Sequence, residues 1–184
     1  MDALKAEFWL LLDWAGWMCH QLPERSPHCG AEVFPVCWRC AGLHLGLFCS
    51  WIHLLAARRL RSRFPSVRLA WFLSALMLPL MVDGLGNALR VWDSPGWWRA
   101  LLGLGTGLGL PFLLAPLTQP LEPAEPTDRM PSLSRATDLT WPALAGLAAI
   151  ACLGNSNSLS LFSLLALAAA LGWSLFLAGF VLGA

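Results

Sequence analysis

The chain has 184 residues, of which 57% are hydrophobic and 12% charged, where a soluble domain carries about 25% charged residues. The formal net charge is +1, and the arginines are bunched, which excludes the distributed basic surface that neutralises nucleic acid phosphates. Water is not the main solvent for this sequence, and nucleic acid is not a partner.

An all-α fold is expected: one polytopic helical membrane domain over residues 1–184, with four to five transmembrane helices and a short N-terminal interfacial helix. There are eleven tryptophans and no tyrosine. Trp9, Trp14, Trp17, Trp92, Trp97, Trp98 and Trp141 stand near the ends of apolar runs, the aromatic-belt pattern of membrane interfaces. Within residues 1–18, "FWLLLDWAGWM" is too short to cross a bilayer, which takes about 20 apolar residues, and fits a helix lying in the interface. Asp2, Glu7 and Asp13 against a single Lys5, with no small-residue cleavage site, do not read as a secretory signal, so this segment is expected to be retained.

Residues 19–36 form a Cys/His loop. The stretch from Val33 to Ala57 can span, and it ends in "RRLRSRFPSVR", whose Arg58, Arg59, Arg61, Arg63 and Arg68 mark the cytoplasmic side under the positive-inside rule. Residues 69–92 then return outward. "DSPGWW" makes an outer turn in which Ser94 can cap the next helix and Pro95 can occupy its first turn. Residues 95–117 run inward, and residues 118–138, rich in proline and polar residues, read as a flexible cytoplasmic loop. Residues 139–154 are a short fourth span, "NSNS" is an outer turn, and residues 158–183 are a fifth span ending inside. Gly103, Gly105, Gly107 and Gly109 include small-xxx-small spacing, which lets a neighbouring helix approach closely. This orientation places the chain in the cell (inner) membrane with the Cys/His loop extracytoplasmic.

"CHQLPERSPHCGAEVFPVCWRC", residues 19–40, holds four of the six cysteines and two of the four histidines. Cys37, Cys40 and His44 are spaced i, i+3 and i+7, so they share one helical stripe within roughly 60°. Arg39 points away from it. Thiolates and imidazoles together form tetrahedral zinc sites, and Cys19, His20, Cys37 and Cys40 make a Cys3His set, with His28 or Cys29 as substitutes. Two other readings fit the same residues. A Cys-x-x-Cys at a helix start with a loop cysteine is the working part of a membrane thiol-disulfide oxidoreductase. The cysteines can also be a structural tie in a non-enzymatic assembly subunit, in which Gly103 and Gly107 pack against a membrane-protein partner or a second copy. Cys49, Cys152 and His53 stand outside the site, as core or interfacial residues.

Asp83, Asn87 and Arg90 fall on one face of the second span, and an ionisable residue inside a membrane helix is a functional hypothesis by default. By helical rise, Asp83 and Cys40 reach similar heights, roughly 20 to 25 Å from the inner loop. Asp83 is therefore expected to approach His20 or His44 and orient a metal-bound imidazole. The alternative is an ion pair with Arg90, Arg99 or Arg39, with Arg99 the favoured cross-helix partner. Pro79 frees a backbone carbonyl one turn before Asp83. Arg25, Arg39 and Arg99 can also flank an anionic substrate or lipid headgroup.

"CHQLPERS", "PVCWRCAGLHLG", "LPLMVDGL" and "SPGWWRALLGLGTG" together resemble the prokaryotic membrane-protein family designated domain of unknown function 2085, over residues 19–110. The resemblance makes Cys19, His20, Arg25, Ser26, Cys37, Arg39, Cys40, Gly42, Gly46, Asp83, Gly84 and Arg99 the motif positions, and it implies no activity. Pro27, His28 and His44 depart from the family pattern, Asn87 stands near a position commonly Gln, and Cys29 is an addition.

Overall fold

The structure, a computed structural model, describes Cys19 and residues 21–60, 62–118, 130–155 and 158–182. The expected interfacial helix over 1–18 and His20 lie outside the described residues. The fold is mostly helical. Among the described residues its helices are α1 (Trp38–Ala56), α2 (Val67–Ala75), α3 (Leu78–Ala88), α4 (Gly96–Leu114), α5 (Thr140–Asn155) and α6 (Leu159–Leu182). A two-residue hairpin, β1 (His28–Cys29) and β2 (Glu32–Val33), precedes α1, pairing His28 with Val33 and Cys29 with Glu32.

Among the described residues, three helical stretches are long and apolar enough to cross a membrane: Val67–Ala88, Gly96–Leu117 and Ala136–Asn155. The first is α2 and α3 end to end. The return span expected over 69–92 is broken at Leu76 and Met77, because Pro79 in the first turn of α3 has no N–H for the carbonyl one turn back. The third is the span expected to be short, lengthened by the 3-10 turn Ala136–Leu139 that leads into α5. α1 is 19 residues long but carries Arg39, His44, Ser50 and His53, and it is not among the three.

α1 is the central helix. At its start Trp38 lies against Gly96, the first residue of α4, and further along the Ser50 hydroxyl donates to the Leu108 carbonyl at 3.0 Å. The two helices therefore run parallel, with α2 and α3 returning the chain between them. A Cβ at Gly46 would come within 2.8 Å of the Leu104 carbonyl oxygen, and one at Gly107 within 2.9 Å of the Leu47 nitrogen. At Gly42 and Gly103 it would overlap the Ala100 and Arg39 carbonyls outright. Two small-xxx-small pairs thus face each other and bring backbone against backbone. The close approach expected of "GLGTGLG" occurs inside the chain, so Gly103 and Gly107 are not free to pack against a partner. α6 seats Gly172 on the His44 carbonyl of α1, and α5 seats Gly146 on the Leu104 side chain of α4.

The ends of the bundle are pinned by local chemistry. α1 and α3 both stop at a left-handed arginine, Arg58 (φ 54) and Arg90 (φ 57). The next N–H in each case reaches back to Leu54 (2.8 Å) or Gly86 (2.9 Å), a Schellman closure with arginine in the place usually taken by glycine. Ser94 does not cap α4. The N-cap is Pro95, and the Ser94 hydroxyl donates to Asp83 instead. At the arginine-rich end, residues 130–138 of the expected flexible loop take a definite course. Arg63 bridges to the 130–132 stretch through Met130 (3.1 Å) and Ser132 (2.9 Å), and Ser132 donates to the Phe112 carbonyl at 2.7 Å, which Pro116 leaves without its helical partner. Arg59 pairs with Asp138 at 2.9 Å.

Candidate functional site

At the other end of α1 the chain from Cys19 folds back onto the helix start. Pro23–Arg25 is a single 3-10 turn whose C-cap Ser26 is buried and donates to the Leu22 carbonyl at 3.0 Å. The hairpin follows, closed by Phe34 donating to the Pro27 carbonyl at 2.8 Å. These two turns bury Phe34 and Val36 against Ala41 of α1, Leu153 of α5 and Ala166 of α6. Cys19 lies in the same cluster, only 4% exposed.

Cys37 is the N-cap of α1 and its side chain caps nothing. Its own N–H donates to the Cys19 sulfur at 3.3 Å. One turn on, Cys40 turns to the same side, and the sulfurs of Cys19, Cys37 and Cys40 all lie within 4.8 Å of one another. All three are free thiols. A tetrahedral metal with bonds of about 2.3 Å holds its sulfurs roughly 3.8 Å apart, so a contraction of about 1 Å at most brings this trio to ligating distance. Hydrogen bonding with the Cys37 side chain, and then burial, push the Cys19 thiol up against the opposing pull of the Cys37 N–H, so a metal taken up here displaces a proton from that sulfur.

The other candidates are placed differently. Cys29 is buried in the cluster on β1, outside the three-sulfur group, while His28 and Arg25 are exposed. His44 shares the stripe of Cys37 and Cys40, as its spacing predicts, yet it is not part of the trio. It is buried against Trp173 of α6, ring centroids 5.8 Å apart.

Asp83 does not orient His44. Its carboxylate is occupied by Arg39, by the Ser94 hydroxyl and by the Asn87 amide (3.3 Å), and that amide also donates to the Asp83 carbonyl at 2.8 Å. Asn87 Oδ1 accepts from Arg99 Nη2 at 2.5 Å, and the same nitrogen pairs with Asp93. The expected alternative of an ion pair is therefore the arrangement found, with Arg39 rather than Arg99 as the partner. A helix turns about 100° per residue, so Arg39 projects to the far side of α1 from its flanking cysteines. Arg90 stands outside this network, exposed at the end of α3. Sequence reasoning missed Asp93 and gave Ser94 a different task. The available signal was a carboxylate six residues before Arg99 across a tight turn.

Apolar helices of membrane-spanning length around a part-buried ion-pair network, with a cluster of thiols at one end, are the build of a helical membrane protein. The chain belongs to the family of predicted membrane proteins DUF2085, whose family model matches residues 19–113. It is 31% identical over 97 residues, 53% of this chain and 84% of the relative, to an uncharacterized protein of Methanothermobacter thermautotrophicus. A second relative, an uncharacterized protein of Methanocaldococcus jannaschii, is 27% identical over 101 residues, 54% of this chain and 63% of its own length. No solved structure matches the chain.

Proposed function

We propose that this chain is a multi-pass protein of the cell membrane that holds zinc, or another thiophilic transition metal, at the extracytoplasmic end of its bundle. Cys19, Cys37 and Cys40 are three ligands and His20 is the fourth. The observation that carries this reading is the convergence of three free thiols, from two separate segments, within 4.8 Å. Three thiolates and one imidazole are the donor set of a closed structural zinc site. Such a site fastens the 19–36 loop to the start of α1, where α5 and α6 also meet it.

The side follows from the other end of the bundle. Arg58, Arg59, Arg63 and Arg68 gather where α1 ends and α2 begins, which the positive-inside rule assigns to the cytoplasm. With α2 and α3 counted as one crossing, this reading counts five crossings, α1, α2 with α3, α4, α5 and α6. Lipid covers the outer faces, where Trp71, Met81, Val82 and Leu85 are exposed.

Elemental analysis of protein purified in detergent, under reducing conditions and without chelator, tests the metal. About one zinc per chain is expected, with Cys19→Ser losing it and with uptake strengthening as pH rises, since the thiols must deprotonate. A reduced wild-type protein with no stoichiometric metal overturns the proposal. Thiol-disulfide exchange with a membrane quinone or an extracytoplasmic partner is favoured by one observation, the contact of Cys19 with the helix-start cysteine Cys37. Its signature is a mixed disulfide trapped by Cys40→Ser and absent from wild type.

A further inference from the structure

Arg99 is the fourth residue of α4, and its side chain is 7% exposed. A guanidinium so placed needs an anion to compensate it. Among the described residues, both hydrogen bonds of its side chain leave from Nη2, to Asn87 and to Asp93, and its Nε is buried with no partner. The fork is under-used. Asn87 is neutral, so among the described residues the charge of Arg99 is paired with Asp93 alone.

Asp93 is a loose counter-ion. Its side chain is 78% exposed, on the turn between α3 and α4, and among the described residues Arg99 is its one ion-pair partner. Pairs with so exposed a member are weak, because water screens the charge and competes for it, so an incoming anion displaces Asp93 at small cost. Asp83 cannot take its place, being committed to Arg39, Ser94 and Asn87. The start of α4 also lacks a side-chain cap. Pro95 offers no acceptor side chain, which leaves the first N–H groups of a 19-residue helix directed at whatever lies above them. Trp92, Trp97 and Trp98 stand exposed around this end, the residue type that sits at headgroup level in a bilayer.

We propose that the start of α4 binds a phosphoryl anion, the phosphate of a lipid headgroup or free phosphate, with Arg99 as the principal contact and Asp93 as the displaceable occupant. Phosphate suits the planar fork of arginine, which binds it through two nitrogens at once. The first N–H groups of α4 supply further donors.

The test uses the full chain in detergent, with phosphatidylglycerol, phosphatidylcholine and inorganic phosphate as probes, read by native mass spectrometry and by the shift of thermal unfolding. Phosphatidylglycerol is expected to bind more tightly than phosphatidylcholine. Asp93→Asn removes the competing charge and should tighten it about two- to fivefold. Arg99→Gln should weaken it about tenfold or more. Binding to the arginines between α1 and α2 is common to all variants and cancels in the comparison. A gain in Asp93→Asn for phosphatidylglycerol alone assigns the site to lipid, and a gain for inorganic phosphate as well assigns it to the phosphoryl group itself. If Arg99→Gln fails to fold, Asp93→Asn still decides. Binding that is unchanged or weaker in Asp93→Asn, for both probes, overturns the proposal.

Discussion

Arg39 stands between two cysteines that face away from it. The thiols of Cys37 and Cys40 turn to Cys19, and the guanidinium turns to Asp83 on α3, so one ion pair fixes the rotation of the first turn of α1 and with it the thiol cluster. Asp83 is 4% exposed and Arg39 28%, so the pair is only half withdrawn from solvent. Breaking a fully buried pair costs 3 to 5 kcal/mol, and the exposure of Arg39 lowers the expectation for Asp83→Asn to about 2–3 kcal/mol of stability. Arg39→Met added to Asp83→Asn should recover part of that loss, because it removes the uncompensated charge. Thermal unfolding of the single and double variants measures the coupling. A double variant no better than the sum of its single changes would show that the pair does not hold the helix start.

The two left-handed arginines make a statement about elements. A non-glycine residue in that conformation costs roughly 1–2 kcal/mol, and α1 and α3 each end on one. Arg90 is exposed and makes no ion pair among the described residues, so Arg90→Gly should raise stability by about 0.5–1 kcal/mol, seen as a higher unfolding temperature; Arg58 lies in the arginine-rich stretch between α1 and α2 and is the less clean position. Neither ending was legible in the sequence, because arginine is not a left-handed signal. What the sequence does announce is what depends on covalent chemistry or period. Pro79 breaks the second span, Cys37 and Cys40 share a stripe, and "GLGTGLG" packs a helix. Gly42 and Gly46 stood out only as motif positions, since a lone GxxxG does not name the helix it faces. Which arginine would claim Asp83 was illegible for a similar reason: Arg39 and Arg99 are both within a long side chain's reach, and the choice depends on how each helix is rotated in the assembled bundle.

For the molecule as a whole, the parallel contact of α1 with α4 is the seam on which the other helices are hung, and it carries the thiols as well as the ion-pair network. A methyl group at Gly103 would overlap the carbonyl of Arg39, the residue between Cys37 and Cys40. Backbone cannot step aside as a side chain does, so Gly103→Ala must push the two helices apart. Overpacking of a well-packed core costs about 1–3 kcal/mol, and the upper end applies here. The same displacement moves the start of α1 relative to Cys19, so metal uptake by the proposed thiol site should fall together with stability. Gly84 is the control within the same family motif set: nothing lies within 4 Å of its would-be Cβ, and Gly84→Ala should gain up to about 1 kcal/mol from helix propensity alone. The decisive measurement is the pair of variants side by side, unfolding temperature against metal content. If Gly103→Ala unfolds at the temperature of Gly84→Ala, the seam tolerates a methyl group and the bundle is looser than its glycines imply. If it loses stability but keeps its metal, the thiol cluster is held by the 19–36 loop and not by the seam.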